Sequence, residues 1–80
     1  MDCLRTIVNT LEEMGLIVLD AEEDDFSLQD YIIDSMQFID FIVRIEDKLN
    51  VQLPDDFLDY ELLLSARSYA LKISDYIAST

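Results

Sequence analysis

Apolar residues recur at helical spacing in three stretches of this chain. In the first, Leu4, Ile7, Val8, Leu11 and Met14 repeat at i, i+3 and i+4, which predicts a helix over residues 2–14. Asp2 is its expected N-cap. Gly15, the one glycine in the sequence, is the expected left-handed C-cap, with Leu16 supplying the apolar contact that accompanies such caps. The second and clearest pattern runs from Asp34 to Leu49, where Phe38, Phe41, Ile42, Ile45 and Leu49 fall in an arc roughly 100° wide and form a core stripe. Met36, Ile39 and Val43 make a second apolar face beside Asp40 and Asp47. Periodicity leaves open whether that face is more core or a docking surface for a partner. Asn50 is the expected C-cap, and Pro54 stops any continuation. Asp55 or Asp56 then starts a short helical turn that runs through Phe57 to Leu64. The third pattern begins at Ser65 or Ala66, with Tyr69, Ala70, Ile73, Tyr76 and Ile77 as its buried stripe and residues 78–80 expected to fray.

Between the first two helices lies a long connection, residues 16–33. Its apolar run, Leu16 to Leu19, could pass for a strand but has nothing to pair with, so it is expected to be loop packed on the bundle. An acidic cluster follows: Asp20, Glu22, Glu23, Asp24 and Asp25. Its first odd positions match a calcium loop, yet Asp25 stands where that loop needs Gly and Tyr31 where it needs Glu, which rejects an EF-hand. Phe26, Leu28, Tyr31, Ile32 and Ile33 are expected to tie the loop to the core. Loops of this length in compact domains tend to carry function, and this one delivers the chain to Ser35. The expected fold is all-α: a small bundle of three main helices plus one short helix, in a single domain spanning 1–80.

Composition narrows the chemistry. Histidine is absent and Cys3 is the only cysteine, which excludes an intramolecular disulfide, a Cys/His zinc site, a histidine base and a Ser-His-Asp triad. No metal site is expected. No apolar run approaches a membrane span, and the first residues lack the basic and apolar regions of a secretory signal, so a cytoplasmic monomer is expected. Eighteen acids against five bases give a net charge of −13. Nucleic acid is a poor partner for such a surface; basic protein surfaces are good ones. Hydrophobic residues make up 51% of the chain, too many for a disordered acidic tail.

The start of the central helix has its own chemistry. Asp34 followed three residues later by Gln37 reads as a capping box: Asp34 accepts from a first-turn amide and Gln37 reaches back to the Asp34 amide. Ser35 is then the first helical residue, free of capping duty, at the positive end of the helix dipole, where a phosphate on its oxygen would be favoured. The bland alternative is a solvent-facing filler. Ser35 has no histidine or nearby lysine to activate it, and no catalytic residue is expected: the chain does not read as an enzyme.

The segment DSM followed by FIDFIVRIEDKLNVQLPDD resembles the acyl carrier protein family, which includes the peptidyl and other thioester carriers. The Asp34-Ser35 pair before a large aliphatic residue is similar to that family's attachment motif. Glu46-Asp47 and the V-x-L-P-D segment at Val51 to Asp55 are similar to its continuation. The likeness covers nearly the whole chain. It implies a 4'-phosphopantetheine arm, derived from coenzyme A and joined to Ser35 through a phosphodiester, whose thiol holds an acyl or aminoacyl group as a thioester. It implies that Asp34 helps position the phosphopantetheinyl transferase. It also implies that Met36, Ile39, Asp40, Val43, Glu46 and Asp47 form the recognition helix for partner enzymes: the transferase, a loading ligase and downstream synthases or transferases with basic docking surfaces. Two positions depart from the family pattern. Ile32 stands where Gly is frequent, which stiffens the approach to Ser35, and Met36 replaces the usual Leu, a nearly isosteric change. The Ile-Ile-Asp-Ser approach is similar to discrete carriers of secondary-metabolite (polyketide or nonribosomal peptide) assembly more than to the housekeeping fatty-acid carrier. Phe38, Phe41 and Phe57 imply a filled interior with little room for a long acyl chain. The alternative reading is an unmodified acidic helical adaptor that binds a basic partner.

With so large a net charge, self-repulsion opposes folding and counter-ions relieve it. The melting temperature should rise as magnesium is titrated in; a flat melting temperature across that titration would count against the reading.

Overall fold

The computed structural model describes residues 3–19 and 25–79. Three helices form the frame: α1 (Cys3–Glu13), α2 (Ser35–Leu49) and α3 (Ala66–Ala78). Three 3-10 turns lie between them, at Leu28–Asp30, Asp55–Leu58 and Tyr60–Leu64. Among the described residues there is no strand. The fold is therefore the expected small all-α bundle. α1 packs against both α2 and α3, and the turn at Leu28–Asp30 packs on the turn at Tyr60–Leu64.

The three apolar stripes meet at the centre. Ile7 and Leu11 from α1, Phe41 and Ile45 from α2, and Ile73 from α3 are fully buried, joined by Leu28 and Ile32 from the loop and by Leu63. The aromatic rings interlock: Phe57 meets Tyr69 and Tyr76 edge-on at 5.8 Å each, and Phe41 tilts against Tyr69 at 6.1 Å. Tyr69 is buried to its hydroxyl, which donates to the Phe57 carbonyl at 2.9 Å. That burial, with Glu46 nearby, pushes its phenol well above the usual tyrosine range. Thr10 is also sealed in, its hydroxyl donating to the Thr6 carbonyl at 2.7 Å, and the Cys3 thiol lies 3.3 Å from the Ser74 hydroxyl.

The helix ends follow their capping residues. Gly15 takes φ +88°, its amide donating to the Glu12 carbonyl and the Leu16 amide to the Leu11 carbonyl, which closes α1. Asn50 (φ 55°) closes α2 in the same left-handed conformation. The Ser65 hydroxyl accepts from the Ser68 amide and opens α3. Asp2 and Thr80 lie outside the described residues, as does the acidic cluster except Asp25.

Four expectations are corrected. The short helix before α3 is two 3-10 turns, because Asp59 is extended there and its carboxylate accepts from the Glu61 amide, restarting the turn. Ser79 is not frayed; its amide and hydroxyl both donate to the Asp75 carbonyl. In the loop, Leu16 and Val18 pack inward but Ile17 and Leu19 point out, since an extended segment alternates its side chains. Ile33 for the same reason faces solvent rather than the core.

Asp25 carries the tie between the loop and α3. Its carboxylate accepts from the Ser65 hydroxyl at 2.7 Å, the Arg67 amide at 3.0 Å and the Phe26 amide at 2.9 Å. Beside it, the Ala66 amide donates to the Phe26 carbonyl at 2.7 Å. The Arg67 amide, then the Ser65 hydroxyl, hold the Asp25 carboxyl below the ordinary carboxylate value. A lowered folded-state pKa stabilises the fold above the unfolded value of about 3.9, and the gain is lost as pH falls through the folded value. Asp25→Ala should therefore lower the melting temperature at neutral pH, and the gap to wild type should narrow as pH falls below the ordinary carboxylate value. A gap independent of pH would show that the charge on Asp25 is idle.

Candidate functional site

α2 begins where the sequence places it. Asp34 is extended (φ −142°, ψ 167°), and its carboxylate accepts from the Gln37 amide at 2.7 Å. The reciprocal half of the box differs from expectation. Gln37 Oε1 accepts from the Ile33 amide at 2.9 Å, not from that of Asp34. In an extended segment successive amides point to opposite sides, so the amide that faces the helix start is that of Ile33. The outcome is a longer brace, fixing two residues ahead of the helix.

Ser35 is the first residue of α2 and is exposed, as are its neighbours Asp34 and Met36. Its hydroxyl stands at the end of the helix where first-turn amides lack intrahelical acceptors and the dipole is positive. The segment leading to it is held from outside α2. The Tyr60 hydroxyl donates to the Ile32 carbonyl at 3.1 Å, and Gln29 Nε2 donates to the Tyr60 carbonyl at 3.0 Å. The Tyr60 ring also meets Phe38 at 6.5 Å. The Ile32 amide closes on the Leu28 carbonyl at 2.8 Å, and the Ile32 side chain is fully buried. Gln29 and Tyr60 were not legible as supports of this site, because their pairing joins distant parts of the chain; an exposed-looking tyrosine in a short turn is the only local signal.

The second face of α2 is solvent-facing. Met36 is 80% exposed, Ile39 57% and Val43 47%, three aliphatic side chains along one line with Asp40 and Asp47 exposed at its border. That resolves the choice left open by periodicity: this face is not core. Contiguous exposed apolar residues with a polar rim suit a transient protein contact.

Glu46 stands apart from the other residues expected on that face. It is half-buried, and its Oε2 accepts from the Leu53 amide at 2.7 Å, across the turn after α2. This bond pins Leu53 and hence the entry to Pro54.

The cations of α2 pair with carboxylates of α2 and α1. Arg44 Nε lies 2.9 Å from Asp40 Oδ1, and Arg44 Nη1 lies 3.7 Å from Glu13 of α1; Lys48 Nζ also pairs with Glu13. No group of three or more metal-ligating side chains occurs among the described residues, and none of their helices is long and apolar enough to cross a membrane.

A family model described as "Phosphopantetheine attachment site" matches residues 4–67. No curated protein and no solved structure matches the chain.

The bond from Glu46 to the Leu53 amide makes a distinct prediction. Glu46→Ala should destabilise the fold by about 1–2 kcal/mol, since it orphans a part-buried amide and removes a charge-assisted bond. Asp47→Ala, next to it and exposed, should change stability by less than about 0.5 kcal/mol. Chemical denaturation of both variants checks this; equal effects would contradict a bracing role for Glu46.

Proposed function

Because the chain belongs to the phosphopantetheine attachment-site family, we propose that it is an acyl carrier whose prosthetic arm is joined at Ser35. Members of the family are carriers, not catalysts, and bear a covalently attached 4'-phosphopantetheine. They work with phosphopantetheinyl transferases and synthase enzymes. The residues present suit that group. The Ser35 hydroxyl is exposed, on the first residue of a braced helix, and the adjoining amide-rich tip favours the negative charge of a phosphodiester.

When attached, the arm supplies a terminal thiol that holds acyl or aminoacyl cargo as a thioester. The chain's own part is positional. Ser35 offers the oxygen that bonds to the phosphorus of coenzyme A's pantetheine half as the pyrophosphate bond breaks and adenosine 3',5'-bisphosphate leaves, the hydroxyl proton passing to a base on the transferase or to solvent. Asp34 and Gln37 hold the helix start rigid, so the attachment point is the same in every encounter. Asp34, already committed to its cap, can guide the transferase through its remaining exposed edge. Met36, Ile39 and Val43 offer partner enzymes an apolar strip, and Asp47, with Asp40 partly offset by its pair with Arg44, offers basic surfaces an electrostatic lead. Glu46 contributes mainly by keeping the turn after α2 in shape.

The observation that carries this reading is the exposed Ser35 at the capped start of α2, within the span matched by the family. The finer assignment is to thioester assembly of the polyketide, nonribosomal peptide or fatty-acid type. Within it, the Ile-Ile-Asp-Ser approach, with Ile32 where the family pattern often has glycine, favours the polyketide or nonribosomal peptide type over the fatty-acid type. Phe38, Phe41 and Phe57 are all buried, which favours cargo held outside the bundle over a long chain drawn inside it.

Incubation with coenzyme A and a phosphopantetheinyl transferase should add the mass of one phosphopantetheine to the intact protein, and Ser35→Ala should abolish the gain. An unmodified wild-type chain under conditions that load a control carrier would overturn the proposal in favour of a non-modified adaptor.

A further inference from the structure

α2 contains two basic residues, Arg44 and Lys48, and both reach toward one carboxylate, Glu13 on α1. Spacing within α2 would sort these charges differently. Arg44 lies four residues after Asp40 and three before Asp47, the separations at which opposite charges on a helix neutralise each other. Left to α2 alone, the guanidinium would sit between the two acids that border the Met36, Ile39 and Val43 strip. Glu13 instead draws its far end toward α1, leaving only the Asp40 contact, and takes Lys48 as well.

The position of Glu13 is not explained by its own helix. It is the last residue of α1, directly after Glu12, and the last turn holds no basic residue. Acids there oppose the helix dipole. Exposed ion pairs of this kind also add little to stability. What the arrangement changes is where positive charge appears on the surface.

We propose that Glu13 sets the charge pattern of the docking face: it anchors Lys48 and draws the far end of Arg44 away from Asp47, so that a basic partner meets Asp47 and the apolar strip without a competing cation. This rests on the carrier reading above and names a specificity residue that lies off the face it serves.

Association of the full chain with a phosphopantetheinyl transferase, followed by stopped flow at low salt, tests it. Glu13→Gln should slow association about threefold relative to Glu12→Gln, which removes the same formal charge from an exposed neighbour on the same helix. The difference should vanish near ~0.5 M salt, where screening confines charge interactions to a few ångströms. Adding Arg44→Gln and Lys48→Gln to the Glu13→Gln chain should restore the rate, because the released cations are gone. Equal rates for the two single variants, a defect that persists in high salt, or no rescue would overturn the proposal. So would a loss of helicity by circular dichroism in Glu13→Gln, which would make the residue a structural one. Failure of the carrier reading looks different: wild type then gains no phosphopantetheine, and Asp47→Asn leaves its association rate unchanged.

Discussion

Ser35 stands where it does because the chain ahead of it is strapped across another part of the fold. From Phe26 to Ile32 the loop has no regular structure beyond one 3-10 turn, so its backbone must find partners elsewhere. It finds them on the Tyr60–Leu64 turn and the start of α3. Asp25 and Phe26 bond to the first residues of α3, the Ser27 hydroxyl reaches the Leu63 carbonyl at 3.4 Å, and Gln29 and Ile32 bond to Tyr60. Leu28 and Ile32 bury their side chains beneath this ladder. Remove the strap and α2 keeps its pattern and its cap, but the approach to its tip has no fixed direction. The fold thus sets the location of one hydroxyl through contacts made some thirty residues away in sequence.

What could be read from the sequence, and what could not, divides by range. The three helices were legible because each rests on its own periodicity and on caps a few residues away: Gly15, Asp34, Asn50 and Ser65 stand where local chemistry puts them. Ser35 at the first position of α2 was legible for the same reason. The partners of Asp25, Gln29, Glu46 and Tyr60 were not, because each joins segments that sequence spacing cannot bring together. Glu46 shows the difference well. Its helical position puts it at the edge of the outward face, yet the turn beyond Leu49 doubles back and uses its carboxylate. The break at Asp59 has no local signal, because residues 55–64 suit one helical turn as well as two; the capping bond from the Glu61 amide decides it.

α2 is a compromise between two surfaces. Phe38, Phe41, Ile42 and Ile45 build the core, while Met36, Ile39 and Val43 leave aliphatic area in water that folding alone does not reward. A net charge of −13 opposes the approach of a second copy to that strip and favours the approach of surfaces of the opposite sign. The same charge that loosens the fold makes an exposed apolar face tolerable. Stability and encounter are therefore set by one quantity, acting in opposite senses.

The burial of Cys3 has a chemical corollary. The polypeptide's one sulfhydryl is 4% exposed, tucked against Ser74, and a walled-in thiol is hard for an electrophile to reach. A carrier of this sequence that bore the arm without cargo would offer reagents such as maleimides one accessible thiol, that of the arm, with the protein's own cysteine buried. The occupied fraction of such a preparation could be counted by alkylation alone, without engineering the chain.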